Sequence, residues 1–288
     1  MKILITGAGG QLGRELKRSL ASLGEVIACD RKQLDLGNPD ALRQTVRQIA
    51  PNLIVNAAAW TAVDKAETEP DAANAINGIA PGILAEEARR LGAQLIHYST
   101  DYVFDGNKPA PWTEDDLPLP LSIYGRTKLA GEQAIQSIDC RYLILRTSWV
   151  FGLHGANFMK TMLRVGKERP ELRVVADQIG APTWTRHLAD ATALVASRKE
   201  GPSGLYHLAN AGETSWHGYA EAIFAEAVRL ALLAAAPVVH PITTADYPLP
   251  ATRPANSRLD CRRFTRDFGL TLPDWRVGLS DCLADTIH

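Results

Sequence analysis

The chain begins with short apolar runs that alternate with longer segments in which apolar residues recur at helical spacing. The apolar runs predict strands at 2–6, 25–30, 53–59, 93–100 and 142–148. The longer segments predict helices at 11–23, 39–50, about 70–91 and about 122–137. Strands that are apolar throughout and alternate with helices are typical of a parallel sheet covered on both faces. The first half is therefore predicted to be a doubly wound α/β domain.

The pattern becomes less regular after residue 150. Strands are predicted at 173–178 and 204–210, and helices near 156–168, 185–198, 215–235 and 275–287. Prolines recur from Pro237 to Pro254, and because proline lacks an amide hydrogen, this stretch is predicted to be a loop. We expect one domain over 1–150, and a mixed region over 151–288 that completes the sheet and forms a smaller α+β substrate subdomain.

Composition narrows the classes of partner. The chain has 288 residues and a formal net charge of -1, so it lacks the basic surface expected of a protein that binds nucleic acid. The most apolar late segment is interrupted by Glu221, Glu226 and Arg229, which favours an amphipathic helix over a membrane span. The 4 cysteines are isolated, which predicts neither a zinc site nor a disulfide framework. We expect a cytoplasmic protein with no nucleic-acid or membrane partner.

A glycine-rich loop lies between the first predicted strand and the first predicted helix. The run ITGAGGQLG contains Gly7, Gly10 and Gly13 at regular spacing. Glycine permits a tight turn, a close approach of backbone to a pyrophosphate, and close packing of helix against strand. Amide groups and the dipole at the start of the helix favour the negative charge. The loop therefore predicts a dinucleotide-binding, Rossmann-like domain over 1–150.

Charged residues follow the second predicted strand. Asp30 stands where an acid can accept hydrogen bonds from the adenosine ribose, with an N-cap or a solvated loop acid as the alternative. Arg31 and Lys32 come next and could hold a 2′-phosphate, so the choice between NADH and NADPH stays open. Asp35 and Leu36 are predicted to flank the adenine, with helix capping as the alternative.

Three further polar residues lie at the end of the fourth predicted strand or after it. Thr100 closes that strand, and ligands of parallel α/β sheets bind beyond the carboxyl ends of the strands. The run YGRTK places Tyr124 and Lys128 four residues apart, on one face of the next predicted helix. A buried aromatic and a solvated lysine would explain that pair taken alone. Together with the glycine loop, the set indicates a catalytic site.

These residues form the Ser/Thr–Tyr–Lys set of the extended short-chain dehydrogenase/reductase family, which the chain resembles. The matching runs, spread from residue 10 to residue 260, are GQLG, NAAAWTAVDKAE, STDYVFDG, YGRTKLAGE, RTSWVFG, DQIGAPTW and RPANSRLD. One departure is Trp60, where the family more often has tyrosine. The resemblance implies reduction of the 4-keto group of a sugar nucleotide by NADPH or NADH, in polysaccharide biosynthesis.

The resemblance also implies roles for the catalytic set. Hydride addition leaves negative charge on the carbonyl oxygen, and a phenol with its usual pKa of about 10 is poorly matched to neutral pH. An ammonium group one helical turn away is expected to lower that pKa. We therefore assign Tyr124 as proton donor, Lys128 as the group that tunes it and holds the nicotinamide ribose, and Thr100 as partner of the substrate oxygen.

Other contacts come only from the resemblance. The implied cofactor contacts are the backbone of Gly10, Gln11 and Leu12 at the pyrophosphate, then Ala59, Trp60 and Thr61 in the pocket, and Tyr98 beside the nicotinamide. Asp101 and Trp149 correspond to substrate contacts, and a core position is the alternative for Trp149. Arg253 is a candidate for the substrate diphosphate, with a surface salt bridge as the alternative. His97 lies in an apolar strand and is predicted to be a hydrogen-bonded core residue.

The sequence leaves some alternatives open. Members of this family can use a magnesium ion at a subunit contact, so Mg²⁺ and a homodimer are options for which the sequence identifies no residues. A catalytically silent NADP-binding relative would keep the glycine loop, but this chain also keeps the complete catalytic set. An epimerase or dehydratase on the same scaffold is another alternative. A dehydratase usually carries an Asp–Glu pair after the threonine, where this chain has Asp101 and Tyr102.

Overall fold

The centre of the molecule is a six-stranded parallel sheet. A computed structural model describes residues 1–198 and 201–286. Its strands are β1 (Lys2–Thr6), β2 (Glu25–Cys29), β3 (Leu53–Asn56), β4 (Gln94–Thr100), β5 (Arg141–Thr147), β6 (Val150–Phe151), β7 (Glu171–Val175), β8 (Ile179–Gly180), β9 (Thr183–Trp184), β10 (Gly204–His207), β11 (Thr214–Ser215) and β12 (Val238–Ile242). The order across the large sheet is β10-β5-β4-β3-β1-β2. This arrangement confirms the predicted doubly wound α/β fold.

Helices cover both faces of this sheet. They are α1 (Gln11–Ser19), α2 (Pro39–Ile49), α3 (Val63–Ala66), α4 (Pro70–Asn74), α5 (Ala80–Leu91), α6 (Ile123–Gln136), α7 (Phe158–Glu168), α8 (Thr185–Ala196), α9 (Trp216–Arg229), α10 (Arg262–Phe268) and α11 (Trp275–Ala284). A π-helical turn, Ala75–Ile79, joins α4 to α5, so the helix predicted near 70–91 is one rod with a widened turn. Short 3₁₀ turns occur at Ala21–Leu23, Asp101–Val103 and Thr244–Asp246.

The two faces of the sheet bury separate clusters, because side chains alternate along a strand. Ile3 and Ile5 of β1 face a cluster that includes Leu16 of α1 and Leu188 of α8. Leu4, between them, faces the opposite cluster, which contains residues of α2 and α5. The central strands are therefore apolar on both faces, which is the reason that their sequence pattern was readable.

The chain after β5 builds a third cluster. Its largest buried members are Phe151, Trp184, Tyr219, Phe224 and Trp275, contributed by short strands and by the helices α9 and α11. Three two-stranded sheets accompany it, pairing β6 with β9, β7 with β12, and β8 with β11. The same part of the chain also returns to the main sheet, where β10 pairs with β5.

The loop predicted over the proline-rich stretch is wrong in its first part. Residues Val238–Ile242 form β12, which runs parallel to β7 from Val238 opposite Glu171 to Ile242 opposite Val175. Pro241 is tolerated there because a strand in a two-stranded sheet has a free edge, and an edge strand does not need every amide hydrogen. The short helices α3 and α10 were also missed, since one or two turns produce little periodicity.

Within residues 1–198 and 201–286, none of the helices combines the length and the apolar character that crossing a lipid bilayer requires. The interruption of α9 by charged residues was the sequence feature that predicted this result for the most apolar segment.

Replacing Gly13 by alanine is expected to destabilise the fold. An added Cβ would lie 2.2 Å from the carbonyl oxygen of Gly7, where β1 and α1 cross. Overpacking of this kind costs about 1–3 kcal/mol in the free energy of unfolding. Gly9→Ala is the matched control, because the nearest atom to its added Cβ is 3.8 Å away. Urea denaturation should show a change within about 0.5 kcal/mol for the control, and equal losses in both variants would contradict the packing argument.

Candidate active site

The glycine loop brings the start of α1 to the carboxyl end of β1. Gly7 has a φ of 70°, a left-handed conformation, and the amide of Gly10 donates to its carbonyl at 2.9 Å. An added Cβ at Gly7 would lie 2.6 Å from the amide nitrogen of Ala58, after β3. The first-turn amides, at Gln11 and Leu12, have no acceptor within a helix. The positive end of the helix dipole therefore faces the carboxyl ends of the strands, where a pyrophosphate is expected.

The side chains beside this loop have structural roles as well. Leu12 is buried in the core, so only its backbone is available to a ligand. Gln11 accepts a hydrogen bond from the side-chain amide of Asn157 at 2.8 Å, which connects the loop to the segment before α7. The third cluster is thereby tied to the edge of the sheet that carries the loop.

Asp30 follows β2 and adjoins the loop, since its Cβ is 3.8 Å from where a side chain at Gly9 would begin. Its Oδ1 accepts from the amides of Lys32 and Gln33 at 2.9 and 3.1 Å, which is the capping alternative. Arg31 points outward with 79 % of its side chain exposed. Asp30 therefore lies beside the glycine loop, although its Oδ1 already accepts hydrogen bonds from two backbone amides.

Asp35 and Leu36, predicted to flank the adenine, have other partners. Asp35 accepts from the amide of Gly37 at 3.0 Å, and Leu36 is buried in the cluster that also contains Leu34 and Cys29. Their contacts are those of a turn and of the core.

The segment after β3 is held by an asparagine that sequence reasoning missed. The amide of Trp60 donates to Oδ1 of Asn77 at 2.9 Å, and Nδ2 of Asn77 donates back to the carbonyl of Trp60 at 3.0 Å. Nδ2 also donates to the hydroxyl of Thr127 on α6 at 3.2 Å. Asn77 therefore fixes the Ala59–Trp60–Thr61 segment relative to α6. A buried amide inside an alanine-rich helix was the signal that could have identified it.

Helix α6 carries Tyr124 and Lys128, and its start is firmly placed. The hydroxyl of Ser122 accepts from the amide of Gly125 at 3.2 Å, and Glu67 accepts from the amide of Ile123 at 2.8 Å. An added Cβ at Gly125 would lie 2.2 Å from the carbonyl oxygen of Tyr102. The first turn of α6 therefore lies against the chain just beyond β4, which brings Tyr124 to the end of that strand.

Lys128 is 2 % exposed and reaches into the sheet. Its ammonium nitrogen donates to the carbonyl of Tyr98 at 2.6 Å and lies 3.2 Å from Nε2 of His97. Burial lowers the pKa of Lys128 to about 8, partly opposed by the negative charge of Glu132 one turn along the helix. His97, as predicted, is a hydrogen-bonded core residue.

The ring of Tyr124 makes an edge-to-face contact with the ring of Tyr102, just beyond β4, with the centroids 5.4 Å apart. Part of the residue is exposed, but the protein packed around its hydroxyl raises its pKa to about 12. Hydrogen bonding to Thr100 acts in the opposite direction, and the charge of Asp101 adds to the increase. We expected Lys128 to lower this pKa; the net direction in the structure is upward, because removal of water outweighs the polar contacts. Tyr124 is therefore protonated at neutral pH.

Asp101 directly follows β4 and is 2 % exposed. Its Oδ1 accepts from the hydroxyl of Thr100 at 3.1 Å, whereas its Oδ2 is a buried oxygen with no partner in the described part of the chain. Burial raises the pKa of Asp101 to about 6, against the lowering effect of hydrogen bonds from Ser257 and Thr100. Ser257 belongs to the RPANSRLD run, which is therefore brought to the same site.

Trp149 is strained and stacked. Its φ of 48° lies in the left-handed region, which a bulky residue rarely adopts. Its ring stacks on Trp216 with the centroids 3.6 Å apart, and an added Cβ at Gly180 would lie 2.5 Å from its Cε2. Trp149 is half-buried, so it is not the core aromatic of the alternative interpretation. Trp216 was not identified from the sequence.

Two other candidates have mainly structural contacts. The ring of Tyr98 lies in the core and its hydroxyl bonds to Thr192 at 2.6 Å, so it meets the catalytic set through its carbonyl. Arg253 pairs with Asp64 at 2.8 Å and donates to the carbonyl of Ala251, which is the salt-bridge alternative.

No cluster of three His, Cys, Asp or Glu side chains that could hold a metal ion occurs in the described ranges 1–198 and 201–286. We therefore derive no catalytic role for Mg²⁺. Cys29, Cys140, Cys261 and Cys282 are free thiols.

Asp101→Asn should remove a pH dependence of stability. An aspartate in an unfolded chain titrates at about 3.9, so a folded pKa of about 6 favours the folded state only while the carboxyl is protonated. That contribution is complete below about pH 4 and is lost as the pH rises through 6, a change of about 2–3 kcal/mol. The difference in unfolding free energy, wild type minus variant, should therefore decrease as the pH is raised from 4 to 8. The exposed Asp40→Asn is the control, and parallel curves for wild type and Asp101→Asn would contradict the argument.

The chain matches known proteins over almost its whole length. A family model described as the RmlD substrate binding domain matches residues 1–287. The dTDP-4-dehydrorhamnose reductase of Burkholderia thailandensis is 49% identical, with 100% of this chain and 99% of that protein aligned. A crystal structure of the Clostridium acetobutylicum dTDP-4-dehydrorhamnose reductase has a TM-score of 0.94 and 40% identity, covering 100% of both chains. The Bacillus anthracis enzyme in complex with NADP has a TM-score of 0.92 and 38% identity, covering 99% of both chains. The chain therefore belongs to the RmlD substrate binding domain family, and the relatives described here are dTDP-4-dehydrorhamnose reductases.

Proposed function

We propose that the chain catalyses the NADPH- or NADH-dependent reduction of the 4-keto group of dTDP-4-dehydro-L-rhamnose to give dTDP-L-rhamnose. The names of the relatives support this substrate. The observation that carries the proposal is the convergence of Thr100, Tyr124 and Lys128 at the carboxyl end of β4. Thr100 closes β4 near enough to the phenol of Tyr124 to act on its pKa, and the ammonium of Lys128 donates to the carbonyl of Tyr98, two residues earlier in the same strand.

The residues at the sheet edge fit a nicotinamide dinucleotide. Amides at the start of α1 can hold the pyrophosphate, and a Cβ added at Gly9 would meet no atom nearer than the Cβ of Asp30, at 3.8 Å. In this proposal Gly7, Gly10 and Gly13 shape the loop, and Ala59, Trp60 and Thr61 line the pocket beyond β3. A bound NADPH or NADH would supply the hydride for the reduction.

The chain itself supplies the proton and the positive charge. A phenol with a pKa of about 12 holds its proton at neutral pH, so Tyr124 can donate it to an oxygen that becomes negative. Lys128, one turn away, stabilises the phenolate that remains and holds the nicotinamide ribose. Thr100 orients the same oxygen through a hydrogen bond. In this proposal Asp101, which accepts from the hydroxyl of Thr100 at 3.1 Å, lies beside the substrate and holds that hydroxyl in place.

We assign the sugar nucleotide to the region formed by 151–288 together with the end of β5. The stacked indoles of Trp149 and Trp216 provide a broad, rigid and mostly apolar surface for a sugar face. The proposal includes a cytoplasmic enzyme, because free thiols suit a reducing compartment. Light scattering would measure whether it is a homodimer.

Tyr124→Phe should lose about 10²–10⁴-fold in kcat, which is the usual contribution of general acid catalysis, while binding NADPH almost normally. Lys128→Met should lose turnover and also bind the cofactor more weakly, because it removes a ribose contact. The assay follows oxidation of NADPH or NADH with dTDP-4-dehydro-L-rhamnose.

Tyr142→Phe, at the amino-terminal end of β5, is the matched control and should retain activity. Full turnover by Tyr124→Phe would disprove its role as proton donor. No oxidation of either cofactor by the wild-type protein would disprove the proposed reaction.

Arg31→Ala should reduce NADPH affinity about tenfold and leave NADH affinity almost unchanged, since a guanidinium can bond a 2′-phosphate that NADH lacks. Among the described residues, the exposed Arg31 side chain has one ion-pair contact, at 4.0 Å with Asp35, so it can turn toward a ligand. Isothermal titration with each cofactor measures the effect. Lys17→Ala, on the exposed face at the end of α1, is the control. Equal loss of both affinities in Arg31→Ala would assign that residue a general electrostatic role instead.

A further inference from the structure

A buried chain of polar side chains runs from Lys128 across three strands of the sheet. Nζ of Lys128 lies 3.2 Å from Nε2 of His97, and Nδ1 of His97 lies 2.9 Å from Nδ2 of Asn56. Oδ1 of Asn56 accepts from the hydroxyl of Thr6 at 2.6 Å. The four residues come from α6, β4, β3 and β1, and the strand register places Thr6 opposite Asn56 and Asn56 opposite His97.

Each of these side chains is at most 2 % exposed, so none can exchange its partner for water. Buried polar groups of this kind need complementary donors and acceptors along the whole chain. The series of buried polar side chains ends at Thr6, which is fully buried, so the series offers no path for a proton to solvent. Its role is therefore to position and to fix charge, not to conduct protons.

The donors and acceptors of these four side chains can be matched in only two ways. Burial, with the charge of Lys128 as a second cause, keeps the pKa of His97 well below its usual range, so the ring is neutral and has one N–H. If the Asn56 amide donates to Nδ1, then Nε2 carries the hydrogen and points it at Lys128. Two donors meet there unless the lysine is an uncharged amine.

The second arrangement suits a charged lysine. Rotating the Asn56 amide by half a turn exchanges its oxygen and nitrogen without moving any neighbour. Its oxygen then accepts from Nδ1–H of His97, its nitrogen donates to the oxygen of Thr6, and Nε2 is free to accept from the ammonium of Lys128. Every hydrogen bond now has one donor and one acceptor.

We propose that Thr6, Asn56 and His97 are positioning residues that keep Lys128 in its ammonium form, with the His97 proton on Nδ1 and the Asn56 carbonyl facing it. This inference rests on the proposed role of Lys128 in the reduction. The ring nitrogen of His97 provides the acceptor that the buried ammonium needs besides the carbonyl of Tyr98. The state of the Asn56 amide is coupled to the charge on Lys128, because the opposite amide orientation fits only the neutral amine.

Other charged groups near Lys128 are accounted for. Glu132, on its own helix, is bonded through both oxygens to Arg146 of β5 at 2.9 and 2.6 Å. Tyr124 lies one turn before Lys128, and Asp101 acts on that phenol from the end of β4. His97 is thus the titratable side chain of β4 that faces Lys128 from the sheet.

The tautomer of His97 is a direct test that needs no substrate. Nitrogen-15 NMR of histidine-labelled protein at pH 6.5 distinguishes a ring protonated on Nδ1 from one protonated on Nε2. The His97 signals are identified by their loss in His97→Gln. We expect the Nδ1–H tautomer, and an Nε2–H tautomer or an imidazolium would overturn the proposal.

The pH profile of kcat/KM provides the second test. The alkaline limb should report loss of the Lys128 proton, and His97→Leu, which removes the acceptor, should move that limb down by about one pH unit. His97→Gln can place an amide oxygen at the same position and should restore the limb. A purely structural role would lower activity without moving the limb, and an unmoved limb in His97→Leu would overturn the proposal.

These two tests separate the inference from the proposed function. A wild-type protein that reduces no sugar nucleotide would disprove the reaction, while the NMR result would still decide the polarity of the chain. An active wild type with an Nε2–H tautomer would disprove the inference alone.

Discussion

The seating of α6 against β4 and β5 is the constraint on which the site depends. Gly125 and Gly131 let α6 also approach the 3₁₀ turn after β4 and the π-helical turn before α5, since an added Cβ would lie 2.2 Å from the carbonyl of Tyr102 or 2.1 Å from that of Asn77. The ion pair between Glu132 and Arg146 joins the same helix to β5, with the two side chains 1 % and 2 % exposed. Burying two charges is costly, and removing one partner of such a pair costs about 3–5 kcal/mol. The helix therefore has one position, in which Tyr124 and Lys128 meet the end of β4.

Exclusion of water then determines the charges at that edge of the sheet. Burial favours the neutral form of every group, so it raises the pKa values of Tyr124 and Asp101 and lowers those of Lys128 and His97. Hydrogen bonds oppose this effect unequally. The phenol remains a proton donor. The pKa of Lys128, about 8, lies close to neutral pH, so the charge of this side chain depends on its hydrogen-bond acceptors. The same packing that stabilises the fold thus sets the acid–base properties of the proposed catalytic set.

Much of the architecture was predictable because burial on both faces leaves a simple pattern in the sequence. The strands of the large sheet and the helices between them lie within a few residues of their predicted bounds. The glycine loop and the Tyr124–Lys128 spacing were readable because each depends on neighbours in the chain. The later part was less predictable. Strand β12 forms through pairing with β7, sixty-odd residues earlier, and that partner overrides the proline signal.

The sequence by itself determined the fold class, the family and the chemical groups at the proposed site, since these follow from local periodicity and from motifs of contiguous residues. Only the tertiary structure decided what those groups contact. It placed Leu36 and the ring of Tyr98 in the core, paired Arg253 with Asp64, and added Asn77 and Trp216. It also raised the pKa of Tyr124 where the spacing alone suggested the reverse. The physical reason is that desolvation and hydrogen-bond pairing depend on distant segments of the chain, and a linear pattern contains no record of which segments meet.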